Sequence, residues 1–134
     1  MNRRTFLASA AGAALLAGTG AVSPALALSK VDYSPERLRS LQAAGTPVLL
    51  DFYATWCPTC RAQERVLGGL TSNPAYQNIV IMRVDWDRYR TADISRSLRV
   101  SRQSTLILIK GDKEVGRLIA QTSESAIKGL LDRA

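Results

Sequence analysis

Val48-Leu49-Leu50-Asp51-Phe52-Tyr53-Ala54 restricts the fold of this chain more than any other segment. It has the length of a strand and is apolar at consecutive rather than alternate positions, the pattern of a strand buried on both faces. Such a strand needs helices on each side of its sheet. The flanking sequence supplies them. Ser34-Pro35-Glu36 opens a helix: Ser is a good N-cap, Pro fits the first helical position and Glu faces the positive dipole end. Leu38, Leu41 and Ala44 keep helical spacing, and Gly45 closes the element. Directly after the apolar strand, Trp56-Cys57-Pro58-Thr59-Cys60 opens a second helix with Ala62, Val66 and Leu70 on its apolar side. Gly68-Gly69 weakens that helix and Asn73-Pro74 stops it.

The remainder continues the alternation. Val31-Asp32-Tyr33 reads as a short strand, Ile79 to Val84 as a further one, and Ala92 to Leu98 as a short helix. Thr105 to Ile109 and Glu114 to Ile119 form a hairpin through Lys110-Gly111-Asp112-Lys113. Thr122 or Ser123 caps a last helix with Ala126, Ile127, Leu130 and Leu131 facing in. The expected fold is α/β, a central mixed sheet flanked by helices on both faces.

The first 27 of the 134 residues do not belong to that pattern. A basic head, Met1-Asn2-Arg3-Arg4-Thr5-Phe6-Leu7, precedes an apolar run rich in Ala and Gly. Ser23-Pro24-Ala25-Leu26-Ala27 then gives a helix breaker and small residues suited to a cut after Ala27. The layout is that of a secretory signal, and the Arg-Arg-x-Phe-Leu order resembles a bacterial twin-arginine signal. The rival reading is a membrane anchor, which the weak hydrophobicity of the run disfavours. The expectation is a cleavable export signal over 1–27 and one domain over 28–134, delivered to the periplasm with no stable membrane span after removal.

The formal charge is +7, and Arg3 and Arg4 lie in the signal. Arg83, Arg88, Arg90, Arg96, Arg99 and Arg102 are interleaved with Asp85, Asp87 and Asp93, which fits a solvated face better than a phosphate track. No nucleic-acid partner is expected.

Histidine is absent and there are two cysteines, Cys57 and Cys60. Ser-His and Cys-His nucleophilic machinery and imidazole-based zinc sites are therefore excluded. Chemistry must run on the cysteine pair. At a strand–helix junction the helix N–H groups and dipole stabilise an anion, so Cys57 is expected to be the exposed, readily ionised thiol. Cys60, one turn on, is expected to be more buried and protonated. The pair suits thiol–disulfide exchange: Cys57 attacks a partner disulfide and Cys60 resolves the mixed disulfide. A structural disulfide is the weaker reading, because so short a ring gains little as a staple.

Asp51-Phe52-Tyr53-Ala54-Thr55-Trp56-Cys57-Pro58-Thr59-Cys60 resembles the thioredoxin superfamily pattern D-F-[WY]-A-x-W-C-x-x-C. The likeness extends over 31–134 and looks closest to the C-terminal thioredoxin-like domain of bacterial thiol:disulfide interchange proteins. It implies a thioredoxin-like fold and a protein thiol–disulfide oxidoreductase without cofactor. By that resemblance Cys57 is the attacking thiolate, Cys60 the resolving thiol and Asp51 the buried acid that assists proton transfer at Cys60. Physical reasoning agrees on Asp51, since burial in an apolar strand raises a carboxyl pKa toward neutrality. Trp56 is expected as a lid over the pair. Gln103, Ser104 and Thr105 fall where the family docks substrate backbone. The partners implied are protein disulfides, with a membrane thiol:disulfide interchange protein as electron donor.

Two departures stand out. The dipeptide between the cysteines is Pro58-Thr59, and Ser104 replaces the family's cis-proline. A cis bond at serine costs about 2.5–4 kcal/mol, so either the bond is trans and the loop reshaped, or packing holds the strain. Loss of that proline is also expected to open space over the sulfurs. That permits an alternative function: a metal or iron–sulfur protein using the same cysteines, four thiolates being reached through a dimer.

Overall fold

The computed structural model describes residues 29–134, so the expected export signal over 1–27 lies outside the described residues. Among them run β1 (Lys30–Asp32), α1 (Pro35–Ala43), β2 (Val48–Tyr53), α2 (Pro58–Leu70), β3 (Val80–Asp85), α3 (Trp86–Tyr89), α4 (Asp93–Ser97), β4 (Thr105–Lys110), β5 (Lys113–Ile119) and α5 (Glu124–Leu131). The five strands form one sheet in the order β1-β3-β2-β4-β5. β1 and β2 run parallel to β3, β4 runs antiparallel to β2, and β5 pairs antiparallel with β4. The sheet is mixed and β2 is its central strand, as its unbroken apolar run requires.

Alternation along β2 divides the core. Leu49 packs with Leu67, Leu70, Ile127 and Leu130 under α2 and α5. Val48, Leu50 and Phe52 pack with Leu38 and Ile94 on the face of α1 and α4. Each of these β2 side chains is fully buried, worth roughly 1.5–3 kcal/mol apiece. Their combined gain carries the cost of placing one carboxyl among them. Asp51 shares the parity of Leu49 and so lies on the α2 side of the sheet, 5% exposed.

The local signals act as their residue chemistry dictates. Ser34 Oγ accepts the Arg37 N–H at 3.1 Å behind Pro35. Ser123 caps α5, and Gly111 turns the β4–β5 hairpin at φ 62°. α3 was not expected from the sequence; Asp85 caps it by accepting the Asp87 N–H. One expectation needs correction. Leu70 is buried and Val66 packs against the same cluster as expected, but Ala62 is only half-buried, and the buried stripe of α2 is Cys60, Gln63, Leu67 and Leu70. The helix is turned so that a glutamine, not an alanine, faces the core.

Candidate functional site

β2 ends at Tyr53, and four residues later Cys57 serves as the N-cap of α2, its sulfur accepting the Cys60 N–H at 3.2 Å. Pro58 supplies the first helical φ at no hydrogen-bond cost. Ala54, Cys57 and Cys60 form a small buried cluster against which Tyr53 and Trp86 pack. The start of β4 reaches the same place, because Phe52 pairs with Thr105 and the residue before Thr105 therefore lies at the mouth of the pair.

That residue is Ser104, and its hydroxyl lies 3.1 Å from Cys57 Sγ and 3.0 Å from Cys60 Sγ. No cis peptide bond occurs among the described residues; Ser104 is instead held trans with φ 60°. The loop is reshaped rather than strained at ω, and three backbone or amide contacts fix it. The Ser104 N–H donates to the Phe52 carbonyl at 2.8 Å, and its own carbonyl accepts from Ala120 N–H at 2.8 Å and from Gln63 Nε2 at 3.1 Å.

This arrangement corrects several expectations. Cys57 is 2% exposed and Cys60 6%, so Cys57, expected to be the exposed thiol, is not the more open of the two. Ser104 sits over both sulfurs and fills the space that loss of a proline was expected to open. Ser104 and Thr105 are 0% and 1% exposed, and the Thr105 hydroxyl is spent on the Arg102 carbonyl at 2.8 Å. Of the four residues expected to bind substrate, Trp56, Gln103, Ser104 and Thr105, exposed Trp56 and half-buried Gln103 reach the surface. Trp56 is 56% exposed and donates its Nε1–H to Asp87 Oδ2 at 3.0 Å, standing beside the pair as an apolar surface.

The electrostatics separate the two thiols. Burial pushes the Cys57 thiol up, but hydrogen bonds from Cys60 and Ser104 more than offset it and leave its pKa below the ordinary value. Burial also raises Cys60, and its hydrogen bond to Cys57 raises it further. Cys57 is therefore the more readily ionised of the two, at the helix N-terminus where an anion is favoured.

Asp51 lies beneath. Burial pushes its carboxyl up to about 6, against the opposing charge of Arg83. Arg83 Nε stops 3.9 Å from Asp51 Oδ2, beyond hydrogen-bonding reach, while its guanidinium stacks 3.7 Å over the Tyr53 ring. Desolvation wins because the pair is close but not bonded. Among the described residues Asp51 makes no direct hydrogen bond to either sulfur. A cleft of about 300 Å³ lined by Tyr53, Ala54, Thr55, Cys60, Arg61, Glu64 and Arg83 gives Cys60 an opening toward water. Gln63, buried and bonded to Ser104, was missed in the sequence. The only available signal was a polar residue three positions after Cys60, on the helix face that carries it.

A buried cysteine pair at the start of a helix, one thiol pKa lowered and the other raised, on a mixed five-stranded sheet defines a thiol–disulfide oxidoreductase domain. The chain belongs to the thioredoxin family, whose family model matches residues 28–133. It is 30% identical over 81 residues to thioredoxin H2-1 of Oryza sativa, covering 60% of this chain and 56% of that protein. It is 36% identical over 72 residues to the thiol:disulfide interchange protein DsbE of Escherichia coli, covering 54% of this chain and 37% of that one. Among solved structures, Trxlp of Edwardsiella tarda superimposes with a TM-score of 0.71 at 43% identity, covering 77% of this chain and 98% of that one.

The metal alternative gains nothing from the geometry. Among the described residues no three His, Cys, Asp or Glu side chains converge, and the serine hydroxyl already satisfies both sulfurs.

Proposed function

We propose that the protein is an exported reductase of protein disulfides in the bacterial periplasm. The carrying observation is the asymmetric pair: Cys57 caps the α2 N-terminus with its thiol pKa lowered, and Cys60 sits one turn behind it with its pKa raised. Cys57 Sγ⁻ attacks one sulfur of a substrate disulfide and displaces the other as thiolate. Cys60 then loses its proton and attacks Cys57 Sγ, releasing the second substrate thiol and leaving a Cys57–Cys60 disulfide. Asp51, its carboxyl pushed up to about 6, takes up the Cys60 proton through water; its neighbour Arg83 and Cys60 both line the cleft. Exposed Trp56 and half-buried Gln103 flank the pair as the surface that meets the substrate.

Export rests on the Arg3-Arg4-Thr5-Phe6-Leu7 head and the Ala25-Leu26-Ala27 end of the leader. Among the described residues no helix is long and apolar enough to cross a membrane. Turnover requires an electron donor on the same side of the membrane, and a membrane thiol:disulfide interchange protein is the partner of matching chemistry. The test is dithiol-driven reduction of insulin by the mature protein, with cell fractionation of the full chain. Absence of reductase activity, or retention of the uncleaved chain in the cytoplasm, would overturn the corresponding half of the proposal.

A further inference from the structure

We propose that Ser104 is a third catalytic residue of the redox centre, its hydroxyl donating to the Cys57 thiolate and accepting from the Cys60 thiol, and that Gln63 is the positioning residue that holds it there. This deepens the oxidoreductase reading and rests on it.

The geometry carries the first part. A hydroxyl has one proton and two lone pairs. Ser104 Oγ lies at hydrogen-bond distance from both sulfurs, and sulfur is its partner in both contacts. With Cys57 the more readily ionised of the two, Oγ–H donates to Cys57 Sγ, and the single Cys60 S–H proton is shared between Oγ and the Cys57 sulfur. The reversed chain would place the thiolate on Cys60, away from the helix N–H that points at Cys57. Serine thus helps to fix which sulfur attacks.

The bond to the thiolate exists only in the reduced protein. Joining Cys57 to Cys60 consumes the negative charge and the Cys60 proton, so the chain loses its charged acceptor and its first donor together. A neutral disulfide is a weak acceptor, whereas a hydrogen bond to an ion is among the stronger ones. Ser104 therefore stabilises the reduced state over the oxidised state and makes the pair a better oxidant than it would be without the hydroxyl.

Gln63 explains why a serine can occupy this backbone. Its side chain is 1% exposed, and Nε2 donates to the carbonyls of Ser104 at 3.1 Å and Gln121 at 2.9 Å. Oε1 is buried with no hydrogen-bond partner among the described residues. An apolar side chain would fill this core position without leaving an acceptor unsatisfied. The amide is explained by what its other half does: it clamps the Ser104 loop to α2, the same helix that carries both sulfurs, and so fixes the distance between hydroxyl and thiols.

The experiment uses the full chain with Ser104→Gly, Ser104→Ala, Gln63→Leu and the double variant Ser104→Gly/Gln63→Leu. Glycine accepts φ 60° freely, so Ser104→Gly removes the hydroxyl without straining the loop. Two readouts are taken: thiolate absorbance against pH, and the redox equilibrium with glutathione. Ser104→Gly and Ser104→Ala should both raise the Cys57 titration and move the equilibrium roughly tenfold or more toward the disulfide, the worth of a hydrogen bond to a charged group. Gln63→Leu should move both in the same direction by less, and the double variant should add nothing to Ser104→Gly. A folded Ser104→Gly protein with unchanged titration and equilibrium overturns the role of Ser104. A Gln63→Leu protein that loses thermal stability without moving either readout overturns the positioning role. Neither readout uses a protein substrate, so wild-type failure to reduce insulin would count against the exchange reading alone.

Discussion

Ala120 donates its N–H to the carbonyl of Ser104 at 2.8 Å, and both residues are left-handed, at φ 57° and 60°. Two non-glycine residues in this region, joined across the mouth of the redox pair, store backbone strain where the sulfurs sit. For Ala120 the strain has no chemical return, since its side chain is a methyl group. Left-handed backbone costs an L-residue roughly 1–2 kcal/mol, and glycine returns part of that through greater unfolded-state freedom. Ala120→Gly should therefore stabilise the protein by about 0.5–1 kcal/mol, read as a higher urea midpoint with unchanged slope. Equal or lower stability would show that the position is relaxed.

Ser104→Pro restores the residue that the family carries, yet it should not behave as a repair. Proline fixes φ near −65° and has no N–H, whereas this backbone sits at φ 60° and donates to the buried Phe52 carbonyl. The incompatible φ and the orphaned carbonyl together should cost on the order of 3 kcal/mol or force the loop into another path. Urea denaturation checks this. A variant as stable as wild type, with the Cys57 titration unmoved, would mean that the loop exchanges between conformations at little cost.

The frame was legible in the sequence because its signals are local. Val48 to Ala54 could only be a strand covered on both sides, Ser34-Pro35 and Ser123 could cap helices, and Lys110 to Lys113 could close a hairpin. The cysteine pair was legible for the same reason, its chemistry being fixed by a strand running into a helix. What escaped was non-local. The hydroxyl of Ser104 meets sulfurs more than 40 residues away, and its reach depends on a left-handed backbone that serine does not announce. Gln63 escaped because polarity at a helical position reads as solvent exposure, so periodicity gave the apolar face to Ala62 and Val66. The near-equal burial of the two cysteines follows from the same serine lid.

The two thiols should separate in trapping experiments. Cys57→Ser removes the ionised nucleophile and should reduce disulfide reductase activity to background. Cys60→Ser leaves attack intact but removes the resolving thiol, so mixed disulfides with substrate should accumulate and survive non-reducing electrophoresis. Alkylation of reduced wild type near neutral pH should label Cys57 first, because thiolate character and not exposure distinguishes the pair. Equal labelling rates, or adducts that form at Cys60 in Cys57→Ser as readily, would reverse the assignment.

Asp51 gives the prediction with the clearest pH signature. Its folded pKa is raised by burial to about 6, above the unfolded carboxyl value near 4. Between those values the folded state binds more protons than the unfolded state, so stability falls as pH rises from about 4 to 6 and then levels off. Asp51→Asn removes the ionisation while keeping shape. It should be more stable than wild type at pH 7 by on the order of 2–3 kcal/mol, with the advantage vanishing below about pH 4. Reductase turnover should move the other way. Without the carboxylate, deprotonation of Cys60 loses its base, and exchange at pH 7 should slow by roughly 10- to 100-fold. Below about pH 6 the wild-type carboxyl is itself protonated, so the two rates should converge there. Chemical denaturation and insulin reduction across pH 4–8 check both halves. A variant destabilised at pH 7 with an unchanged rate would make Asp51 a structural acid held by Arg83, with no part in proton transfer.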